Sequence, residues 1–341
     1  MHSELYHRLR CPQCHSRLGW QPESSFAADH TNGWLDCLAC VLRFPVVDGI
    51  PRFVPVGNYA ESFGVVWHTF RSAVLDSKLG VTHSRERFFR ETDWSADELR
   101  DEWILEVGCG AGRFTEILLD CGAHVVAVDS SSAIDVCRRN LGHIPRLHLV
   151  QADVYALPFR PGGFDAVCSF GMLHRTPDAR RACLALPAQL KGGGKLVVDI
   201  APPRWFRQFG PTAWLRFVTR RMTTDQAMSF SLRLTAWLLP WQQALGRVPV
   251  LGRWLERLFP IAPPDTLSAC SAEAVRQRAC LAMCDRLTAV YHHPGRVALL
   301  ADWLAEAGLE QMHVDYCDNQ IVGRGRKPHR ANESSPASRV A

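Results

Sequence analysis

Residues 104–114 read ILEVGCGAGRF, an apolar run ending in three glycines spaced two apart, after which a helical pattern resumes. Trp103–Val107 has the composition of a buried strand, and Arg113–Cys121 has the period of a helix. Between them, Gly108, Gly110 and Gly112 let the backbone turn sharply and approach a ligand closely. The helix that follows presents free N–H groups and the positive end of its dipole to an anion. Many nucleotide binders own such a loop, so its surroundings decide what it means.

Working outward, strand and helix patterns alternate. Strands are expected at Trp103–Val107, His124–Val128, Leu147–Val150, Phe164–Ser169 and Lys195–Ile200, with helices such as Arg113–Cys121 and Ala179–Leu190 between them. That rhythm predicts an α/β fold with a mostly parallel sheet covered on both faces. Asp129 ends the second of these strands, twenty-one residues after Gly108, where a carboxylate can accept from both hydroxyls of a ribose. Asp153 ends the third and can accept from an adenine amino group. Strand-end positions of this kind share one crevice at the carboxyl edge of the sheet. A dinucleotide site would place its third glycine one residue later, where Arg113 stands. Glu106, just before the loop, suits a ligand ammonium instead.

The segments ILEVGCGAGRF, VVAVDSS, QADVYALPF, FDAVCSFGMLHRTPD and LKGGGKLVV resemble, in order and in register over about residues 100–200, the class I methyltransferases that use S-adenosylmethionine (SAM), type 11 in particular. The resemblance implies a Rossmann-like seven-stranded sheet, six strands parallel and one antiparallel. It also implies SAM in the crevice, with Gly108, Gly110 and Gly112 at the methionine moiety, Asp129 at the ribose and Asp153 at the adenine. Glu106, Ser130, Val154 and Phe170 complete the expected cofactor contacts.

Near the N-terminus, Cys11-Pro-Gln-Cys14 and Cys37-Leu-Ala-Cys40 are separated by twenty-two residues. Two such turns can supply four thiolates, Cys11, Cys14, Cys37 and Cys40, to one structural zinc. With Phe44–Pro51, the segment resembles the zinc-ribbon domain of methyltransferase activator subunits, here fused in cis. No coordination position would remain open for catalysis. The other nine of the thirteen cysteines are scattered singly. With no apolar leader at the N-terminus, they fit reduced thiols in a cytoplasm.

The expected organisation is a ribbon module at 1–57, a helical linker or lid at 58–100, a SAM-binding core at 101–200, a helical insertion acting as substrate lid at 201–295, completion of the core at 296–324 and a disordered tail at 325–341. The linker carries Phe63, Val66, Trp67 and Phe70 at helical spacing, and Phe63 and Trp67 are candidates to cover the cofactor. Helix 296–308 and strands Gln311–Cys317 and Gln320–Gly323 are expected to finish the sheet. The net charge of +5 is uneven: residues 201–260 hold nine arginines, one aspartate and one glutamate. Prolines 211, 240 and 249 should break the helices there. With five tryptophans in 204–259 and an apolar stripe at Leu251, Trp254, Leu255, Leu258 and Phe259, the insertion could cap the crevice or lie peripherally on the inner face of a membrane.

For the acceptor, His174 follows the fourth strand, where the transferred methyl group is expected, and can polarise or deprotonate an oxygen. Tyr291 and His292, in Tyr291-His-His-Pro294, resemble a loop that approaches the site in bacterial methyltransferases with this layout, which also share the Phe63-Gly-x-x-Trp67 entry and the closing GRGRKP. The sequence points to methyl transfer onto a small-molecule or lipid-linked acceptor, at oxygen. Alternatives are an RNA (rRNA or tRNA) methyltransferase, and a non-catalytic scaffold or activator that binds a partner through its ribbon. The 169–175 loop lacks the Asn/Asp-Pro-Pro-Tyr/Phe of enzymes acting on nucleobase exocyclic amino groups, which counts against such substrates.

Overall fold

A computed structural model describes residues 3–23, 31–55, 57–71, 74–203, 211–245 and 272–329. After a short helix α1 (Ser3–Arg8), four antiparallel strands follow: β1 (Gly19–Pro22), β2 (Gly33–Cys37), β3 (Leu42–Val47) and β4 (Ile50–Pro51). The linker supplies α2 (Glu61–Thr69), α3 (Asp76–Leu79), α4 (His83–Thr92) and α5 (Ala96–Leu99). The core then alternates β5 (Trp103–Val107), α6 (Arg113–Asp120), β6 (His124–Asp129), α7 (Ala133–Leu141), β7 (Leu147–Gln151), β8 (Phe164–Ser169), α8 (Ala179–Ala185) and β9 (Leu190–Ile200). Two insertion helices, α9 (Pro211–Thr219) and α10 (Thr224–Leu245), precede α11 (Ala272–Thr288) and α12 (Val297–Glu306), and β10 (Glu310–Cys317) and β11 (Gln320–Arg326) close the chain.

The large sheet has the order β10-β11-β9-β8-β5-β6-β7. β11 runs antiparallel to both its neighbours while the other pairs are parallel, giving six strands one way and one the other. β5, β6 and β7 are buried nearly end to end, as strands covered on both faces must be. Their apolar side chains split between two cores, one beneath each face. No described helix is long and apolar enough to cross a membrane.

Several local expectations are corrected. α8 stops at Ala185 because Pro187 cannot donate to a helical carbonyl; a tight turn at Pro187–Gln189 then delivers the chain into β9 five residues earlier than expected. Pro240 does not break α10, which runs through it. Pro211 starts α9, where a missing N–H costs nothing. β11 continues through Gly325 and Arg326, and Lys327 is still paired with Gly193 and Gly194, so order extends past the expected start of the tail. Pro249, the stripe from Leu251 to Phe259 and residues 330–341 lie outside the described residues.

The ribbon does not stand apart. Leu5, Leu9, Leu18, Leu35 and Val46 share one apolar cluster with Leu105, Val126 and Phe159 of the core. Arg52, next to β4, bridges in parallel to Gln151 and pairs with Asp135 at 2.7 Å. A module this small has too little apolar surface to stabilise itself and borrows the core's.

On the other face, Phe88 of α4 is fully buried, with ring centroids of Trp94, Phe114 and Phe170 at 5.9, 6.1 and 6.0 Å. It fastens the linker to the start of α6 and the end of β8. Phe88→Ala should therefore cost about 3–5 kcal/mol in urea unfolding; a loss below about 1 kcal/mol would show that the linker packs loosely.

Candidate active site

The carboxyl ends of β5, β6, β7 and β8 open into a cleft of about 890 Å³. Glu106, Gly108, Gly110, Asp129, Ser130, Val154 and Phe170 all line it, as do Phe63 and Trp67 of α2. Gly108 and Gly110 both have positive φ, and side chains there would strike Met172 and the Trp67 ring. Gly112 is different. It lies outside the cleft wall, and its missing side chain makes room for Leu141 and Cys137 of α7. The third glycine is thus required by helix packing, and by a positive φ that it shares with the other two.

Asp129 holds the loop in shape. Its Oδ2 accepts from the Gly110 N–H at 2.9 Å, and its Oδ1 accepts from the Ser131 N–H at 2.9 Å and hydroxyl at 2.6 Å. Three of the roughly four acceptor positions of a carboxylate are therefore taken. One remains for a ribose hydroxyl, so engaging both hydroxyls requires a protein bond to yield. Asp153 is off the cleft wall between Ala152 and Val154, which line it. Its Oδ1 accepts from the Tyr155 N–H at 3.1 Å and the Tyr59 hydroxyl at 3.3 Å.

Glu106 is only 2% exposed and accepts from the Thr115 hydroxyl. Burial pushes its pKa up to about 8, against the stabilising pull of that hydroxyl. It is a neutral acid at pH 7 until a cation arrives.

The structure brings His174, Tyr291 and His292 together beside the cleft, and none of the three lines it. His174 and His292 pack edge to face at 5.6 Å, the His293 N–H donates to the His174 carbonyl at 2.7 Å, and Tyr291 meets Tyr59 edge-on at 6.2 Å. Burial, helped by Arg175, His292 and His293, holds the His174 pKa well below the usual imidazole range. The ring is neutral, and its buried Nδ1 has no hydrogen-bond partner among the described residues.

One network has no counterpart in the sequence reading. Arg87 of α4 donates to Glu91 at 2.8 Å and to Asp199 of β9 at 3.0 Å, with both carboxylates fully buried. Asp199 also accepts from the Gly171 N–H at 2.5 Å, which fixes the loop after β8. Burial raises Asp199 to about 6 despite Arg87. The Arg87–Glu91 spacing of four on a helix is visible in the sequence; its link to Asp199, 112 residues away, is not.

In the ribbon, the sulfurs of Cys11, Cys14, Cys37 and Cys40 lie within 4.8 Å of one another. Four convergent thiols on two tight turns are compatible with a closed tetrahedral zinc site.

Residues 105–198 match the family model described as a methyltransferase domain. Among curated proteins, the chain is 40% identical over 99 residues to a demethylmenaquinone methyltransferase of Clavibacter sepedonicus, covering 28% of this chain and 40% of that one. It is 33% identical over 124 residues to a tRNA U34 carboxymethyltransferase of Pseudomonas aeruginosa (32% and 38%). A ubiquinone biosynthesis O-methyltransferase of Xanthomonas euvesicatoria matches at 32% over 112 residues (30% and 44%). This chain spans less than half the length of each of these relatives.

Glu106 sets a pH signature. Between the ordinary carboxylate range and about 8 the folded chain holds a proton that the unfolded chain has lost, so stability falls as pH rises through that window. Asp199, raised to about 6, contributes to the lower part of this window and Glu106 to the upper part. Glu106→Gln should flatten the decline in melting temperature between about pH 6.5 and 8; an unchanged slope would contradict the assignment.

Proposed function

We propose that the chain is a SAM-dependent methyltransferase acting at an oxygen of a small-molecule acceptor. The observation that carries this is the Asp129-braced loop, in which Gly108 and Gly110 face a cleft shared with Glu106 and Val154, within a segment matching a methyltransferase domain. The cofactor supplies a methyl group activated by its positively charged sulfur. The chain's residues do the rest. Gly108 and Gly110 bring bare backbone to the methionine moiety, Glu106 answers its ammonium, and Asp129 with Ser130 takes the ribose. Val154 flanks the adenine, for which the second oxygen of Asp153 is an acceptor. Phe63, Trp67 and Phe170 exclude water from the reacting centre. His174, kept neutral beside the cleft, is a side chain able to take a proton from an acceptor oxygen, with Tyr291 and His292 close to it. The Cys11, Cys14, Cys37 and Cys40 thiolates hold zinc, which rigidifies the ribbon without touching substrate.

Two measurements test this. Removing the Asp129 carboxylate frees the loop as well as the ribose contact, so Asp129→Ala should weaken calorimetric SAM affinity at least about tenfold. Unchanged affinity would refute the site. Cys11→Ser should lower bound zinc in elemental analysis from about one per chain to near none; undiminished zinc would end that assignment.

A further inference from the structure

The cleft extends past the glycine loop into a basin walled by α4, the first turn of α6, α11 and the turn joining β10 to β11. Five arginines reach the cleft: Arg87, Arg90, Arg113, Arg175 and Arg278. Three are neutralised where they stand, Arg87 by Glu91 and Asp199, Arg90 by Asp318 and Arg175 by Asp285. Arg113 has no such partner: its Nε donates to the Ser84 hydroxyl at 2.9 Å, and no described carboxylate forms an ion pair with it. Burial, then the like charges of Arg87 and Arg278, depress its pKa to about 9. A buried guanidinium crowded by two others, acted on by Asp76 and Glu91 but ion-paired with neither, complements an anion, and its fork matches a carboxylate.

A second observation comes from the opposite kind of group. Glu91 Oε2 and Gln320 Oε1 are buried on the same cleft wall with no donor among the described residues. Buried acceptor oxygens of this kind ask for hydroxyl or amine protons. Phe114 and Phe170, also on the wall, offer apolar surface for a carbon skeleton.

We propose that the methyl acceptor is a small hydroxy acid, its carboxylate held at Arg113 with Arg278 contributing positive charge, and its hydroxyl protons met by Glu91 and Gln320. This rests on the methyltransferase reading and narrows it, favouring a compact anionic acceptor over a lipid-linked one. The same carboxylate chemistry could come from the cofactor's own methionine end, because Arg113 directly follows Gly112.

The test uses the full chain saturated with S-adenosylhomocysteine. Calorimetry is run with 4-hydroxybenzoate, 3,4-dihydroxybenzoate and glucuronate, each beside its neutral methyl ester. At least one acid should bind about tenfold tighter than its ester. Arg113→Met should abolish that preference and Arg113→Lys should keep part of it, while affinity for S-adenosylhomocysteine stays within about threefold. The proposal is overturned if esters bind as well as acids, if none of the acids binds, or if Arg113→Met weakens S-adenosylhomocysteine as much as the acid. Failure of S-adenosylhomocysteine itself to bind is a separate result, and it would strike the methyltransferase reading first.

Discussion

A single carboxylate, that of Asp129, joins the two strand ends on which the site is built. By accepting from the Gly110 N–H it pulls the β5–α6 loop against the end of β6, and by accepting from Ser131 it fixes the entry to α7. The loop cannot be held in this shape by side chains of its own, because Gly108 and Gly110 have none to spare in so close an approach. The parallel sheet makes the arrangement possible: β5 and β6 are in register from Trp103↔His124 to Val107↔Val128, so the two loops emerge side by side. Everything else at the cleft is arranged around that junction.

The second structural device is ionic. Arg87 lies between two fully buried carboxylates, one on its own helix and one on β9. Removing Arg87 would leave two buried carboxylates without their counter-charge, which costs far more than a surface pair is worth. The network therefore seats α4, with Phe88 beside it, against the sheet, and through the Gly171 N–H it reaches the loop after β8. The wall of the cleft away from Asp129 is a consequence of this tie.

Much of the fold was legible because it depends on local pattern. The apolar runs around Ile104, Val126 and Val167 mark strands that are buried on both faces, and the glycine spacing at 108–112 places the loop. Gly112 has a tertiary role that the sequence does not reveal, since the space a side chain would take there is occupied by Leu141 and Cys137 from a helix twenty-five residues on. Likewise, two CxxC pairs point to four convergent thiols, but nothing local reveals that Leu5, Leu9 and Leu35 are buried in the same core as Leu105. Arg113 and Arg87 carry no local pattern that distinguishes them from other helical arginines. Their roles depend on which carboxylates the fold brings near, and that is decided by contacts across α4, β9 and α11.

The central claim is that this cleft holds a SAM-type cofactor through the Asp129 junction. A crystal structure of the chain with S-adenosylhomocysteine tests it most directly. The account predicts ribose hydroxyl oxygen within hydrogen-bond reach of Asp129, adenine beside Val154 and the amino group at Glu106. Density for the ligand elsewhere, or a cleft left empty at saturating ligand, would contradict it.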